Sequence, residues 1–378
     1  MVNSEAARVE MRIEQEPVGP SGVFVTHHAN DTDSVTPARL GEIFSEIRGA
    51  GITGHRFDIR WQRVQPEMYG EADTTYLDKS AAVARLGQDA GLDTTVVLST
   101  PPKWGKDLIR INPGEFLRQY EKYCTTVRDA LTGQGVTPAT VQVFNELNNP
   151  FFTPAYLMPV LPFCVMTARR VFGSDTKISG TLFVGNLAAP MENRLFTNYR
   201  RFLSKYDSAM GMLDHIGIDY YPGLYDYTGK LPEIVREGAQ TFIGKTGELD
   251  RALTAVRSFT SGSDVTVGID EVGFPTVAGR IVPGRKGKLH EVRKYLPARD
   301  EFGMRYAYNR FIRAFQPLMA KHRLNRVGFY QLFDEPGDAA GLGFGLYTRD
   351  GREKVPSLGT SDQTDWLGKL VRRVGKPV

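Results

Sequence analysis

Two glutamates lie where predicted buried strands end. Glu146 follows the apolar run VQVFN, and Glu271 follows VTVGID. Two of the three tryptophans lie near the ends of other predicted strands, Trp61 after RFDIR and Trp104 in the segment PPKW. Aromatic rings stack on the apolar faces of sugars, and a pair of carboxyl groups supplies the acid, base and nucleophile for glycosidic cleavage. If one edge of a sheet collects these strand ends, the chain has the residue types for chemistry on carbohydrate.

Short β-like runs alternate with longer helical patterns along the whole chain. The runs are rich in Val, Ile, Phe and Tyr, which is typical of parallel strands buried on both faces. They cover residues 22–27, 55–61, 94–99, 140–144, 177–183, 215–221, 265–270 and 326–332. Thr36-Pro37 and Asn112-Pro113 mark helix starts, because each pairs a capping side chain with a proline at the first helical position. Eight strands, each followed by a helix, predict a (β/α)8 TIM barrel.

The length of 378 residues fits one α/β domain of this kind. We expect a single (β/α)8 barrel over residues 22–378 and an N-terminal extension over residues 1–21. Such barrels need about 250 residues, so the βα loops should be enlarged, above all 225–248 and 273–302. A doubly wound open sheet is the alternative. It is disfavoured because THHANDTDS, not a glycine-rich phosphate-binding turn, lies at the end of the first strand.

The composition excludes several classes of protein. A net charge of +4 over 378 residues is too dilute to indicate nucleic-acid binding. With 41% hydrophobic residues, the chain can form a large core. Two cysteines, Cys124 and Cys164, exclude a disulfide scaffold and a four-cysteine zinc site. We expect two buried thiols, with a disulfide as the alternative in a secreted protein.

Neither a membrane span nor an intact secretory signal is predicted. The most apolar stretch, residues 154–166, contains three prolines and is too short to cross a bilayer. The first 20 residues carry four acidic residues and no apolar core. We therefore expect either a cytoplasmic protein or a secreted mature form whose signal has been removed.

Five segments of the chain resemble the clan A glycoside hydrolases, the (β/α)8 retaining glycosidases with catalytic glutamates on strands four and seven. The segments are GHRFDIRWQRVQPE, VQVFNELNNP, DHIGIDYYPG, VTVGIDEVGFPT and GLGFGLYTRDGREKVPS. The dipeptide Asn-Glu alone carries little information, whereas five segments in the same order and spacing are specific. The similarity covers residues 22–357, and families 39 and 5 look nearest.

The resemblance implies roles for five residues. Glu146 would be the acid/base and Glu271 the nucleophile of a two-step retaining reaction. Asn145 would bind the sugar 2-hydroxyl. Arg56 would lie beneath the site and keep Glu271 ionised, while Tyr221 would donate a hydrogen bond to the same carboxylate.

The chain departs from the clan pattern in three places. Gln331 lies near the position where many members have a tryptophan under the reactive sugar, and Phe144 lies where a tryptophan is frequent before Asn-Glu. Asp270 adds a like charge beside the nucleophile, unless its side chain points into the barrel wall as strand alternation suggests. By the same alternation only one of Tyr220 and Tyr221 faces the site, and the resemblance favours Tyr221.

Further residues are candidates for substrate contact. The side chains expected to contact the sugar are His28, Trp61, Trp104 and Gln331. Packing in the barrel is the alternative for Trp61. The pair His27-His28 does not predict a metal site, because adjacent strand residues point to opposite faces and no ligand cluster with metal spacing accompanies them. The sequence predicts neither a metal ion nor an organic cofactor.

Positive charge is concentrated in residues 280–294. This segment holds six Lys and Arg residues and one Glu, so it carries a net charge of +5 and the rest of the chain about −1. A solvated loop is one interpretation. The other is that the segment follows the nucleophile strand, overhangs the site and steers an anionic or polymeric carbohydrate toward it.

Two other functions stay open at this level. One is a barrel that binds carbohydrate without turnover. The other is a barrel hydrolase of different chemistry, such as a metal-dependent one, whose activity a chelator would abolish. The main prediction is a retaining glycosidase with a carbohydrate substrate and with neither a nucleic-acid nor a membrane partner.

Overall fold

Eight parallel strands close into a barrel at the centre of the molecule. The computed structural model describes residues 22–28, 33–99, 101–149, 152–153, 155–184, 198–221, 247–273, 279–283, 289–293, 313, 315–333 and 346–347. The strands are β1 Gly22–His28, β2 Gly54–Ile59, β3 Asp93–Leu98, β4 Thr140–Val143, β5 Lys177–Val184, β6 His215–Tyr220, β7 Thr266–Val272, β8 Gly279–Pro283, β9 Leu289–Arg293 and β10 Arg326–Tyr330. All except β8 and β9 belong to the barrel, and β1 closes it by pairing with both β2 and β10. The predicted (β/α)8 fold is confirmed.

The predicted strands agree with the barrel strands to within two residues at each end. Their composition explains why. In β4 and β6 every residue is buried, because the barrel interior covers one face and the helices cover the other. A continuous apolar run is the pattern that such two-sided burial requires.

Helices surround the barrel between the strands. Their bounds are α1 Pro37–Gly49, α2 Trp61–Val64, α3 Thr74–Asp89, α4 Lys103–Ile111, α5 Pro113–Gly133, α6 Leu161–Phe172, α7 Tyr199–Lys205 and α8 Asp207–Met210. A 3-10 turn, Ala155–Val160, leads into α6, and residues 247–259 and 315–321 are helical as well. No described helix is long and apolar enough to cross a membrane.

Both predicted helix starts are confirmed. The Thr36 side chain accepts a hydrogen bond from the backbone N–H of Arg39, 3.3 Å away. The Asn112 side chain accepts one from the backbone N–H of Glu115 at 3.0 Å. Each bond satisfies an N–H that the first turn of a helix leaves without an intrahelical partner. In α5 the predicted apolar stripe is buried; it consists of Phe116, Tyr120, Tyr123, Val127 and Leu131.

The basic segment contains a hairpin. Strands β8 and β9 are antiparallel and pair with each other, separately from the barrel. The side chains of this hairpin, and residues 284–288 and 294, lie outside the described residues, so the predicted contact of segment 280–294 with substrate stays a prediction. Residues 1–21 and most of the two predicted long loops lie outside them too.

The two thiols are buried and free. Cys124 lies on α5 and Cys164 on α6, and neither forms a disulfide. Burial raises the pKa of both Cys124 and Cys164 above the ordinary value of a thiol. This agrees with the expectation of buried thiols and removes the disulfide alternative.

A buried ion pair crosses the barrel interior. Asp270 accepts hydrogen bonds from Arg326 Nε at 2.8 Å and from His215 Nε2 at 3.0 Å, and its side chain is wholly buried. A Cβ on Gly217 would lie 2.2 Å from the Asp270 carboxyl carbon, so only glycine leaves room for this group. Burial lowers the pKa of His215 to about 4, and Arg326 therefore supplies the cation that Asp270 needs.

We expect Arg326→Met to lower the free energy of unfolding by about 3–5 kcal/mol, because it leaves the Asp270 carboxylate buried without its cation. Urea denaturation at neutral pH measures this change. The matched control is Arg251→Met, which breaks a solvent-exposed pair with Glu248 and should change stability little. Equal effects of the two substitutions would contradict the assignment.

Candidate active site

Three carboxyl groups meet at the carboxyl ends of the barrel strands. Glu146 lies directly beyond β4, Glu271 lies in β7, and Asp219 lies in β6. One carboxyl oxygen of each residue lies within 4.8 Å of the other two, and none of the three side chains is more than 5% exposed. A retaining glycosidase needs its two catalytic carboxyls about 5–5.5 Å apart, whereas an inverting one needs about 6.5–9.5 Å. The closest oxygens of Glu146 and Glu271 lie within 4.8 Å, which is near the retaining separation and well below the inverting one.

Glu271 is held by two donors. Arg56 donates a hydrogen bond from Nη1 to Oε1, and the Tyr221 hydroxyl donates to Oε2. Arg56 comes from β2 and Tyr221 follows β6, so neighbouring and distant strands of the barrel both contribute. The structure thus brings together three residues that the sequence predicts to meet.

Arg56 is itself fixed by neighbours on its other side. Its Nε donates to Gln142 Oε1 at 2.9 Å, and its Nη2 donates to Asn145 Oδ1 at 2.8 Å. Burial opposes the charge of Arg56, but the surrounding acidic groups, Glu271 first among them, outweigh burial and raise the pKa of Arg56 above its ordinary value. The guanidinium is therefore a permanent cation in a fixed place.

Glu146 has a different environment. Its Oε2 accepts a hydrogen bond from Asn149 Nδ2, and its backbone N–H donates to Thr181 Oγ1 at 3.0 Å. Burial, and next the charge of Glu271, raise the pKa of Glu146 to about 8. Among the described residues no cation bonds to this carboxyl, so it is suited to carry a proton at neutral pH.

The backbone around Glu146 is in an uncommon conformation. Phe144 has φ 58° and Glu146 has φ 45°, both in the left-handed region that non-glycine residues seldom occupy. Side-chain and backbone hydrogen bonds to Thr181 and Asn149 hold this turn. Backbone held in this way is common at functional sites, and here it aims Glu146 at Glu271.

Asn145 lies on the open side of the carboxyl pair. It is partly exposed and lines the cleft. Its Oδ1 accepts hydrogen bonds from Arg56 Nη2 and from Gln142 Nε2, the latter at 3.0 Å. These bonds orient the amide so that Nδ2 is the group left to meet a ligand.

A cleft of about 420 Å³ opens beside Glu271 and Asn145. It is lined by Thr26, His27, His28, Arg56, Asp58, Arg60, Gln62, Val97, Ser99, Pro101, Lys106, Asn145, Phe152 and Glu271. Polar side chains of β1 and β2 thus form one wall, because residues two apart on a strand face the same way.

His28 lines this wall, so its predicted contact with substrate stays a prediction. Its Nδ1 lies 3.0 Å from Asp58 Oδ1, and its Nε2 lies 3.0 Å from the Tyr330 hydroxyl. His27 points the other way, is fully buried and packs on His55 with ring centroids 5.5 Å apart. The expectation that these histidines do not form a metal pair agrees with this geometry.

One predicted substrate contact, Trp61, needs correction, and the contact predicted for the partly exposed Trp104 stays a prediction. Trp61 begins α2 rather than ending a strand, and its indole is fully buried against Tyr123, with ring centroids 5.0 Å apart. Trp104 packs edge-on against Trp61 and donates from Nε1 to the backbone oxygen of Gln65 at 3.3 Å. Neither ring lines the cleft. The open alternative for Trp61, packing in the fold, is the one found.

Gln331 is also misplaced by the sequence prediction. It is 1% exposed and does not line the cleft. The residue before it, Tyr330, is the one that reaches His28 and meets the ring of Tyr221 edge-on, with centroids 5.4 Å apart. Successive residues at the end of β10 point to opposite faces. A prediction that is shifted by one residue therefore names Gln331, which points away from the cleft, in place of Tyr330.

Asp270 raises no conflict with the nucleophile position. Its carboxylate is neutralised by the pair with Arg326 described above. The register between β6 and β7 shifts here: Ile218 pairs with Ile269, and Asp219 pairs with Glu271. The extra residue in β7 puts Glu271 directly beside Asp219.

Sequence reasoning missed several neighbours of the pair. They are Asp58, Gln142, Asn149, Asp219 and Tyr330. Strand periodicity was the available signal for two of them, because Asp58 is two residues from Arg56 and Asp219 is two residues from Tyr221. The three clustered carboxyls were not expected either. Their oxygens are close enough to share a cation, and the guanidinium of Arg56 is the cation that the fold provides.

Comparisons with known proteins bear on the fold. No protein-family model and no curated protein matches the sequence. Among solved structures, GH5_18 from Streptomyces cattleya in complex with GlcNAc has a TM-score of 0.60 and 14% identity, over 94% of this chain and 81% of that chain. The chain has the barrel fold of these glycosidases.

Two further structures support the same fold. The beta-glycosidase BGL167 has a TM-score of 0.57 and 16% identity, over 95% of this chain and 97% of that one. The family 1 β-glucosidase from Thermotoga maritima has a TM-score of 0.56 and 15% identity, over 96% of this chain and 100% of that one. The resemblance to clan A glycoside hydrolases is thus confirmed for the architecture, and the structural neighbours belong to families 5 and 1.

Proposed function

We propose that this protein is a retaining glycoside hydrolase of O-glycosidic bonds, with Glu146 as acid/base and Glu271 as nucleophile. The observation that carries the proposal is the asymmetry of the pair. One oxygen of each carboxyl lies within 4.8 Å of the other, yet among the described residues Glu271 has an arginine and a phenol as side-chain donors while Glu146 has an amide alone. One carboxyl is thereby prepared as an anion and the other as an acid.

The first step forms a glycosyl-enzyme. A Glu271 oxygen attacks the anomeric carbon as the bond from that carbon to the leaving oxygen breaks, and Glu146 gives its proton to the leaving oxygen. Arg56 and Tyr221 keep Glu271 oriented for attack. Asn145 Nδ2 is placed to donate to a hydroxyl of the bound sugar, a contact that favours the transition state if it shortens there.

The second step releases the sugar. Glu146, now an anion, takes a proton from water, the water oxygen bonds to the anomeric carbon, and the ester bond to Glu271 breaks. Glu271 returns as a carboxylate beside Arg56, and Glu146 again holds a proton. Two inversions at the anomeric carbon give net retention of configuration.

The substrate class is proposed from the same site. The lining of the cleft combines an aromatic side chain, Phe152, with Glu271 and with polar groups along β1 and β2, a combination suited to sugar. The structural neighbour GH5_18 from Streptomyces cattleya was solved in complex with GlcNAc, and a variant of the same protein was solved in complex with Manb1-4GlcNAc. We propose a carbohydrate substrate, and a panel of gluco-, manno- and N-acetylglucosaminyl aryl glycosides is the first set to assay.

Trapping of the covalent intermediate tests the proposal. In a 2-fluoro glycoside the fluorine slows both steps, because it destabilises the developing positive charge. The activated leaving group restores the rate of the first step only, so the glycosyl-enzyme accumulates. We expect stoichiometric loss of activity and a mass increase of one fluoro-glycosyl unit on the peptide that contains Glu271. A label on another peptide would contradict the nucleophile assignment.

The same assay separates the two other functions. A carbohydrate-binding barrel would bind the sugars without turnover of any glycoside in the panel. A metal-dependent hydrolase would lose turnover on dialysis against a chelator and regain it with the metal. Turnover that survives the chelator and stops with the fluoro sugar supports the retaining mechanism.

A further inference from the structure

Asp219 is a buried carboxyl that the two-step reaction does not use. It lies in β6 directly opposite Glu271 in the strand register and is 0% exposed. Its oxygens have no hydrogen-bond partner among the described residues. One of its oxygens nevertheless lies within 4.8 Å of an oxygen of Glu146 and one of Glu271.

The charges around Asp219 leave it without a cation of its own. Arg56 is the nearest guanidinium, and its Nη1 is bonded to Glu271. Among the described residues, the other charged groups that act on Asp219 are Glu146, Glu271 and Asp270, all acidic, and the phenol of Tyr221 donates to Glu271. The cation Arg326 is bonded to Asp270.

An ionised carboxylate is not stable in such a place. Removal from water is costly for a charge that has no hydrogen-bond donor and whose nearest cation, Arg56, is bonded to another carboxylate, so a carboxyl in this position takes up a proton instead. Burial, followed by the charge of Glu271, raises the pKa of Asp219 well above its ordinary range.

We propose that Asp219 stays protonated in the folded protein and serves as a neutral positioning residue, which fills the floor beneath Glu146 and Glu271 without adding a third negative charge. The catalytic part of this inference rests on the proposed function. The protonation itself does not, because it follows from burial and charge alone.

A neutral Asp219 keeps the charge of the site balanced through both steps. Before attack, Arg56 is positive, Glu271 is negative, and Glu146 and Asp219 are neutral. In the glycosyl-enzyme, Glu271 is an ester, Glu146 is the anion, and Arg56 again has one negative partner. A second anion at Asp219 would hold the proton on Glu146 more tightly and so weaken it as an acid.

Unfolding equilibria of the wild type and Asp219→Asn test the protonation without any assay of activity. The unfolded chain releases the Asp219 proton above about pH 4, whereas the folded protein keeps it. Raising the pH therefore favours unfolding of the wild type but not of the variant. We expect the ratio of the two unfolding constants, wild type over variant, to rise about tenfold per pH unit between pH 5 and 7.

The control is Asp78→Asn, which replaces a carboxyl exposed on α3 and should give a ratio that stays level with pH. A level ratio for Asp219→Asn as well would overturn the proposal, because it would mean that Asp219 ionises equally in the folded and unfolded states. A band from a protonated carboxylic acid, present in the infrared spectrum of the wild type at pH 7 and lost in Asp219→Asn, is the matching spectroscopic signature.

Rescue by the neutral isostere tests the positioning role. Asp219→Ala leaves a hole beneath the pair, and we expect kcat to fall at least tenfold with KM changed by less than about twofold. Asparagine has the shape of the protonated acid, so Asp219→Asn should lower kcat no more than about threefold. If asparagine is as harmful as alanine, the working form of Asp219 is the anion and the proposal is wrong.

Discussion

Glu271→Gln should lower kcat on aryl glycosides by at least about 10⁴-fold. Glutamine keeps the size of Glu271, and its amide oxygen can still accept from Arg56, but it has no carboxylate oxygen able to form the glycosyl ester. Loss of a nucleophile removes a whole reaction path, so its effect is larger than that of removing a single hydrogen bond. Initial rates with a dinitrophenyl glycoside measure the change in kcat. The leaving group of this substrate departs easily, so even a very low residual rate can be detected.

Two additions sharpen this experiment. Glu121→Gln, on the exposed side of α5, where Glu121 pairs with Arg170, is the matched control and should retain full activity. Glu271→Ala opens a space beside Arg56 for a small anion such as azide, which can attack the sugar directly. A glycosyl azide of inverted configuration is the expected product. Wild-type turnover by Glu271→Gln would rule out the nucleophile assignment.

The pH profile should report the proton on Glu146. Burial, together with Glu271, raises the pKa of Glu146 to about 8, and a general acid works only while it is protonated. The rate constant kcat/KM is therefore expected to stay level toward pH 8 and to fall tenfold per unit above it. We would measure kcat/KM from pH 5 to 10 on a substrate with a poor leaving group, because such a leaving group needs protonation. These measurements give the alkaline limb of the profile directly.

Glu146→Gln provides the test of that assignment. With poor leaving groups we expect kcat/KM to fall about 10²–10⁴-fold, because the leaving oxygen departs without a proton. With a dinitrophenolate leaving group the first step needs no acid, so the loss in kcat/KM should be much smaller and the alkaline limb should disappear. An alkaline limb that persists unchanged in Glu146→Gln would assign the titration to another group.

The barrel was predictable because its signals are local. A strand buried on both faces needs a largely apolar run of about four to eight residues, and that run can be recognised without knowledge of its neighbours. The caps at Thr36 and Asn112 are equally local, since each side chain bonds to a backbone N–H three residues away. The meeting of Glu146 and Glu271 followed from the rule that parallel barrel strands end on one rim.

The direction of side chains was harder to predict, because an error of one residue in the position of a strand end reverses it. Trp61 looked like a strand end, but β2 ends at Ile59 and the chain turns into α2, which carries the indole into the packed layer beside α5. Gln331 and Tyr330 exchanged roles for a similar reason. Whether an aromatic ring faces a cleft or a core depends on where the strand stops, and the sequence pattern leaves that uncertain by one or two residues.

The sequence by itself determined the strand order, the helix starts and the two glutamates at one rim, all of which rest on periodicity and capping within short segments. Only the tertiary structure decided the environments of the carboxyls. The register shift at Asp270 puts Glu271 beside Asp219. The distant strand β2 gives Arg56 to Glu271 and the neighbouring strand β6 leads to Tyr221, whereas no cation among the described residues bonds to Glu146 or Asp219. Protonation depends on burial and on charges contributed by residues far apart in the chain, so it emerges only when the barrel closes.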